Sequence, residues 1–91
     1  MAALVNQQRA ANGLKPLTLS TELSSAARAK SQDMHDNRYF AHESPTYGSP
    51  FDMLKSFGIS YRTAGENIAM GYATPEAVMN AWMNSSGHRA N

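Results

Sequence analysis

Apolar side chains recur at helical spacing in several stretches of the chain, separated by turn residues. Between Met1 and Asn12, Leu4, Val5, Gln8 and Ala11 fall on one side of a helical projection, and Gly13 stands where a left-handed residue ends a helix. After a connector containing Pro16, Ser20 is placed to cap a second helix, with Glu22 in its electropositive first turn. Leu23, Ala26, Ala27, Lys30 and Met34 form its expected inward stripe, and the alanines predict close approach of another helix. Asp36 to Ser49 reads as loop, punctuated by Asn37, Ser44-Pro45 and Tyr47-Gly48-Ser49-Pro50. Ser49, Pro50 and Asp52 then fit the cap, first and third positions of a short helix that runs to about Phe57 and stops at Gly58. Thr74-Pro75-Glu76 opens the last predicted helix by the same logic, with Val78, Met79 and Trp82 facing inward and Gly87 beyond its end.

Only Ile59 to Tyr72 offers strand material, through Ile59, Tyr61, Ile68 and Met70, and Gly65 interrupts it. No other period-two run can pair with it. Two readings stay open: an irregular extended loop lying over helices, or a strand whose partners lie in sequence following Asn91.

At 91 residues the chain has room for one small domain. Eight basic and seven acidic residues are scattered along it, for a net charge of +1. That excludes the polyelectrolyte patch a nucleic acid would need. No apolar run approaches the roughly 20 residues of a membrane span, and no signal-peptide pattern opens the chain. Zero cysteines exclude disulfides, thiolate metal sites and thiol nucleophiles, without fixing a compartment.

Three segments carry candidate chemistry: Tyr39-Phe40-Ala41-His42, Gly65-Glu66-Asn67-Ile68 and Trp82 to Arg89, which contains His88. Two neutral imidazoles and a carboxylate can coordinate zinc or a similar divalent ion and leave a position for water. Each residue also has a plainer role. His42 and His88 can be hydrogen-bonded structural histidines, and Glu66 can accept backbone N–H groups beside Gly65. His35 reads as a solvent-facing or dipole-complementing residue, and Asp33 and Asp36 as a charged helix end rather than a metal cluster. Trp82 reads as a core anchor, the six methionines as gap fillers, and Tyr39, Phe40, Tyr47 and Phe51 as packing around the His42 loop.

These segments, taken in order, resemble the CAP superfamily of SCP-like domains. Leu4 to Arg9 with Gly13 to Leu17 is similar to the family's opening helix and connector, and Glu22-Leu23 to Asp33-Met34 to its second helix. Tyr39 to Pro45 resembles the bacterial form of the first histidine motif, Gly65 to Ala69 the glycine-glutamate-asparagine signature, and Ala81 to Asn91 the final histidine motif. The resemblance implies an α+β fold, an α-β-α sandwich. In the family further strands follow the last motif, so residues 1–91 are expected to form one domain, incomplete at its C-terminus and mostly helical. The open strand is then a place where another chain can pair.

The family's cleft is lined by two histidines and two glutamates, which His42, Glu66 and His88 match at three positions. At the fourth, where many eukaryotic members carry glutamate, this chain has Ser85, and neighbouring Asn84 supplies no carboxylate either. The resemblance implies an extracellular or cell-surface binding module taking a small molecule, a peptide or a cell-envelope component, with His42 and His88 as possible ligands of zinc or magnesium. Alternatives are a metal-dependent hydrolase and a structural module of a bacterial cell surface or spore layer. The loss of a carboxylate at Ser85 counts against catalysis, for which no residue is assigned.

Overall fold

A computed structural model describes residues 1–91. Five helices follow one another: α1 (Ala2–Ala11), α2 (Thr21–Asp36), α3 (Pro50–Ser56), α4 (Pro75–Met83) and α5 (Ser86–Ala90). The backbone divides into two units, one of residues 20–68 and one combining residues 1–19 with 69–91.

In the unit of residues 20–68, α2 packs on α3. Ser20 caps α2 by accepting from Leu23 N–H at 3.2 Å. The start of α3 is a capping box in which Ser49 Oγ accepts from Asp52 N–H and Asp52 accepts from Ser49 N–H. The buried face of α2 is Ala26, Lys30 and Asp33, spaced as one helical stripe. Leu23, expected inward, is 48% exposed, and Ala27 is also exposed. The stripe is therefore rotated toward polar residues, because the surface it meets is the hydrogen-bonding loop after α2 rather than an apolar helix alone. Met53 supplies the apolar contribution from α3. Two ring pairs lie nearby, Tyr47 with Phe57 edge-on at 5.7 Å and Phe51 with Tyr61 at 6.0 Å.

In the other unit, α4 packs on α1 and α5, and Met79 is the buried apolar residue. The connector after α1 is held by Asn6, whose amide nitrogen donates to Leu17 C=O at 3.1 Å while its oxygen accepts from Leu17 N–H at 2.8 Å. One side chain thus satisfies both backbone groups of Leu17, as a neighbouring strand would. Thr74 caps α4 by accepting from Ala77 N–H at 3.1 Å.

Ile59 to Tyr72 forms no strand, and the chain's single β-bridge joins Ser44 to Gly48. A strand is defined by its ladder, and no segment of residues 1–91 pairs with this one, which both readings of the stretch allow. The sheet layer of the expected sandwich is accordingly not formed here, whereas the largely helical character is. Gly87 lies beyond the end of α4, as expected, and inside a further short helix, α5, that the sequence pattern does not announce. At Asn84 and Ser85 the backbone turns with φ −85° and −116°, so the chain leaves α4 and starts α5 without a left-handed glycine.

Candidate functional site

Helix α2 ends where the histidine loop begins. Arg38 adopts the left-handed conformation, φ 53°, and Tyr39 N–H returns to Met34 C=O at 3.1 Å. The loop then turns back onto the buried stripe of α2. Asp33 receives four donors: Ser44 Oγ at 2.5 Å, Tyr39 OH at 2.5 Å, Thr46 Oγ1 at 2.6 Å and Asn37 Nδ2 at 2.7 Å. These bonds, Ser44's first and then those of Thr46 and Tyr39, lower its pKa from an ordinary 3.8 to about 2. Burial and the bond to Asp33 raise that of Tyr39. Ser44 and Gly48 close the loop's far side by exchanging N–H···O bonds of 2.8 and 2.9 Å. Gly48 has φ +79°, and a Cβ there would meet Asp52 Oδ2 at 2.8 Å, so the closure requires glycine.

His42 projects from this loop with 56% of its side chain exposed. Its Nδ1 lies 2.6 Å from Glu66 Oε1. An ionised carboxylate only accepts, so Nδ1 is the donor of this bond, and in a neutral ring Nε2 then keeps its lone pair. Glu66 is 79% removed from solvent by side-chain area, its Oε2 lying 3.6 Å from Lys30 Nζ. Lys30 also donates to the backbone carbonyl of His42. The structure therefore brings His42 and Glu66 together across 24 residues of sequence and adds Lys30 beneath them.

His88 sits on α5 in the unit of residues 1–19 and 69–91. Its Nδ1 is hydrogen-bonded to Ser85 Oγ at 2.8 Å, and its ring stacks on Trp82 with an interplanar angle of 18° and centroids 6.4 Å apart. Ser85 is the N-cap of α5 yet makes no side-chain cap bond, its hydroxyl being engaged by His88. The residue at the expected glutamate position is thus a histidine partner, and Trp82 combines half-burial with a stacking role.

Asp33 does belong to the charged end of α2, and it is buried there and organises the loop. Its position three residues after Lys30 on the inward stripe is the signal that identifies it. The pattern of donors four to thirteen residues later is not visible without the fold. His35 is exposed as expected, its Nδ1 3.2 Å from Asp36 Oδ1. A closed metal site needs three or four protein ligands. Within either unit, no three His, Cys, Asp or Glu side chains group closely enough to hold an ion. In the His42 pair, one Glu66 oxygen is already bound to the ring.

The sequence profile described as CAP, the cysteine-rich secretory protein family, matches residues 2–91. The chain belongs to the CAP family. An uncharacterized protein of Bacillus subtilis (strain 168), YkwD, is 68% identical to it over 88 residues, covering 97% of the chain and 34% of the relative. YlbC of the same organism, described as an uncharacterized membrane protein, is 40% identical over 86 residues, 94% of this chain and 25% of its own length. The CAP chain also resembles the crystal structure of an extracellular protein containing an SCP domain from Bacillus anthracis str. Ames. There the TM-score is 0.91 at 38% identity, over 94% of this chain and 29% of that one. The chain thus spans about a third or less of the length of these relatives. No helix in it is long and apolar enough to cross a membrane.

Proposed function

We propose that the CAP chain is an extracellular, non-enzymatic binding module whose recognition point is the His42–Glu66 pair. The observation that carries this reading is the 2.6 Å bond from His42 Nδ1 to a mostly buried carboxylate, made by a ring that is itself more than half exposed. A fixed imidazole presenting an acceptor nitrogen suits a ligand with a hydroxyl, amide or ammonium donor, such as a polar cell-envelope component. The extracellular setting is supported by the SCP-domain protein of B. anthracis, which is itself described as extracellular.

The His42–Glu66 pair supplies at most two ligands where zinc sites use three or four, so no metal-dependent step is derived for it. Cosedimentation with purified bacterial cell-wall sacculi tests the proposal. Retention by the wild-type chain is expected to fall about tenfold in His42→Ala, the equivalent of losing one well-formed hydrogen bond. Equal retention of the two proteins would remove His42 from recognition. In parallel, zinc titration is expected to show no stoichiometric binding. A one-to-one site abolished by His42→Ala would restore the metal reading.

A further inference from the structure

Lys30 is among the least expected residues in the interior. Lysine ammonium groups are strongly hydrated and are rarely buried without a partner, yet this side chain is 4% exposed. Its position on α2 places it under the histidine loop, where it makes two contacts of different kinds. It donates a hydrogen bond to the carbonyl of His42, which fixes the backbone that carries the ring. Its charge lies beside Glu66 Oε2, while Glu66 Oε1 accepts the hydrogen bond from the ring's Nδ1–H. The carboxylate is therefore held at both ends, between an ammonium and an imidazole. Removing the ammonium takes away the charge beside Glu66 Oε2 and the donor on the His42 carbonyl, and a shift of either group disturbs the alignment at Nδ1.

We propose that Lys30 is a positioning residue that selects the Nδ1–H tautomer of His42 by anchoring both the His42 carbonyl and the Glu66 carboxylate, so that Nε2 is presented as the acceptor. The proposal rests on the reading of the His42–Glu66 pair as the recognition point, and it names the part of the fold that sets that pair. Lys30 acts through His42 and Glu66 and touches no ligand itself. Lys30→Met is the informative variant, because methionine keeps an unbranched apolar stem in the buried space while removing the charge and the donors.

Nitrogen-15 NMR of the full chain labelled at histidine reads the tautomer directly, without any ligand. The wild-type His42 ring is expected in the Nδ1–H form. In Lys30→Met the Nε2–H form is expected to become at least as populated, with the backbone amide spectrum of α2 retained. Glu66→Gln should lose the preference too, and the double variant should lose no more than either single one. A folded Lys30→Met protein with wild-type His42 nitrogen shifts overturns the proposal. Should that variant fail to fold, the wild-type Lys30 ammonium decides: its protons are expected to exchange at least tenfold more slowly than those of Lys15 or Lys55, and equal exchange rates would sink the anchor. The sacculus assay separates this inference from the one beneath it. A changed tautomer with undiminished retention overturns the recognition role of His42 and leaves Lys30 as its positioning residue, whereas an unchanged tautomer overturns the role of Lys30 alone.

Discussion

Four donors converge on Asp33, and their effect has a definite pH dependence. The carboxylate's pKa is about 2 in the folded chain against an ordinary 3.8, so the folded state favours the ionised form. The stabilisation is fully present above pH 3.8 and is lost as pH falls through about 2. Acid titration followed by the fluorescence or NMR signals of Tyr39 is expected to show release of the loop within that window. In Asp33→Asn this transition should disappear, because an amide offers one acceptor oxygen and sets its own donors against Ser44, Thr46 and Tyr39. The variant is expected to melt several degrees lower at pH 7, and an unchanged melting temperature would show that the four bonds are dispensable. Tyr39 adds a weaker effect at the alkaline end. Its pKa is raised, so its contribution holds below the ordinary tyrosine value and fades as pH rises through the folded one.

Among the helices, α1, α2 and α3 end in the same way: a residue with positive φ, followed by an N–H that returns to the last turn. At α1 and α3 that residue is glycine, and at α2 it is Arg38. A side chain in this conformation costs about 1 kcal/mol relative to glycine. Arg38→Gly is therefore expected to stabilise the chain by about 0.5–1 kcal/mol in urea denaturation, and destabilisation would mean that the arginine side chain makes an offsetting contribution. The starts of α2, α3 and α4 were legible in the sequence because Ser20, Ser49 and Thr74 act on amides three residues away. The five-residue α5 was not, because its N-cap hydroxyl is bound to His88 and Gly87 imitates a stop signal. The stretch after α3 stays open between loop and strand, since apolar alternation measures suitability for a sheet and the partners that make one are non-local. The family resemblance implied a cleft of His42, Glu66 and His88, and the 24 residues between His42 and Glu66 leave no local trace of their bond. Lys30 was read as inward-facing, but the reason for its burial lies in the loop and in Glu66.

Over the whole chain, apolar burial is sparse. Ala26, Met53 and Met79 are its buried apolar residues, while Leu14, Leu17, Leu19, Phe51, Met70 and Tyr72 are each at least half exposed. Small cores make each buried side chain count. Met53→Ala is expected to destabilise the chain by about 2–4 kcal/mol, a large share of the total for a domain of this size. Urea denaturation measures this, and a loss under 1 kcal/mol would place the stability of the α2–α3 unit in its polar network instead. That network has a further consequence for how the chain can vary. From Asp33 to Thr46 the backbone forms a ring closed by side-chain hydrogen bonds, a macrocycle without a covalent link, and it displays Phe40, Ala41, His42 and Glu43 on its outer rim. Side chains on such a rim can be exchanged without touching the closure, so one scaffold can present different recognition chemistries while the fold beneath stays the same.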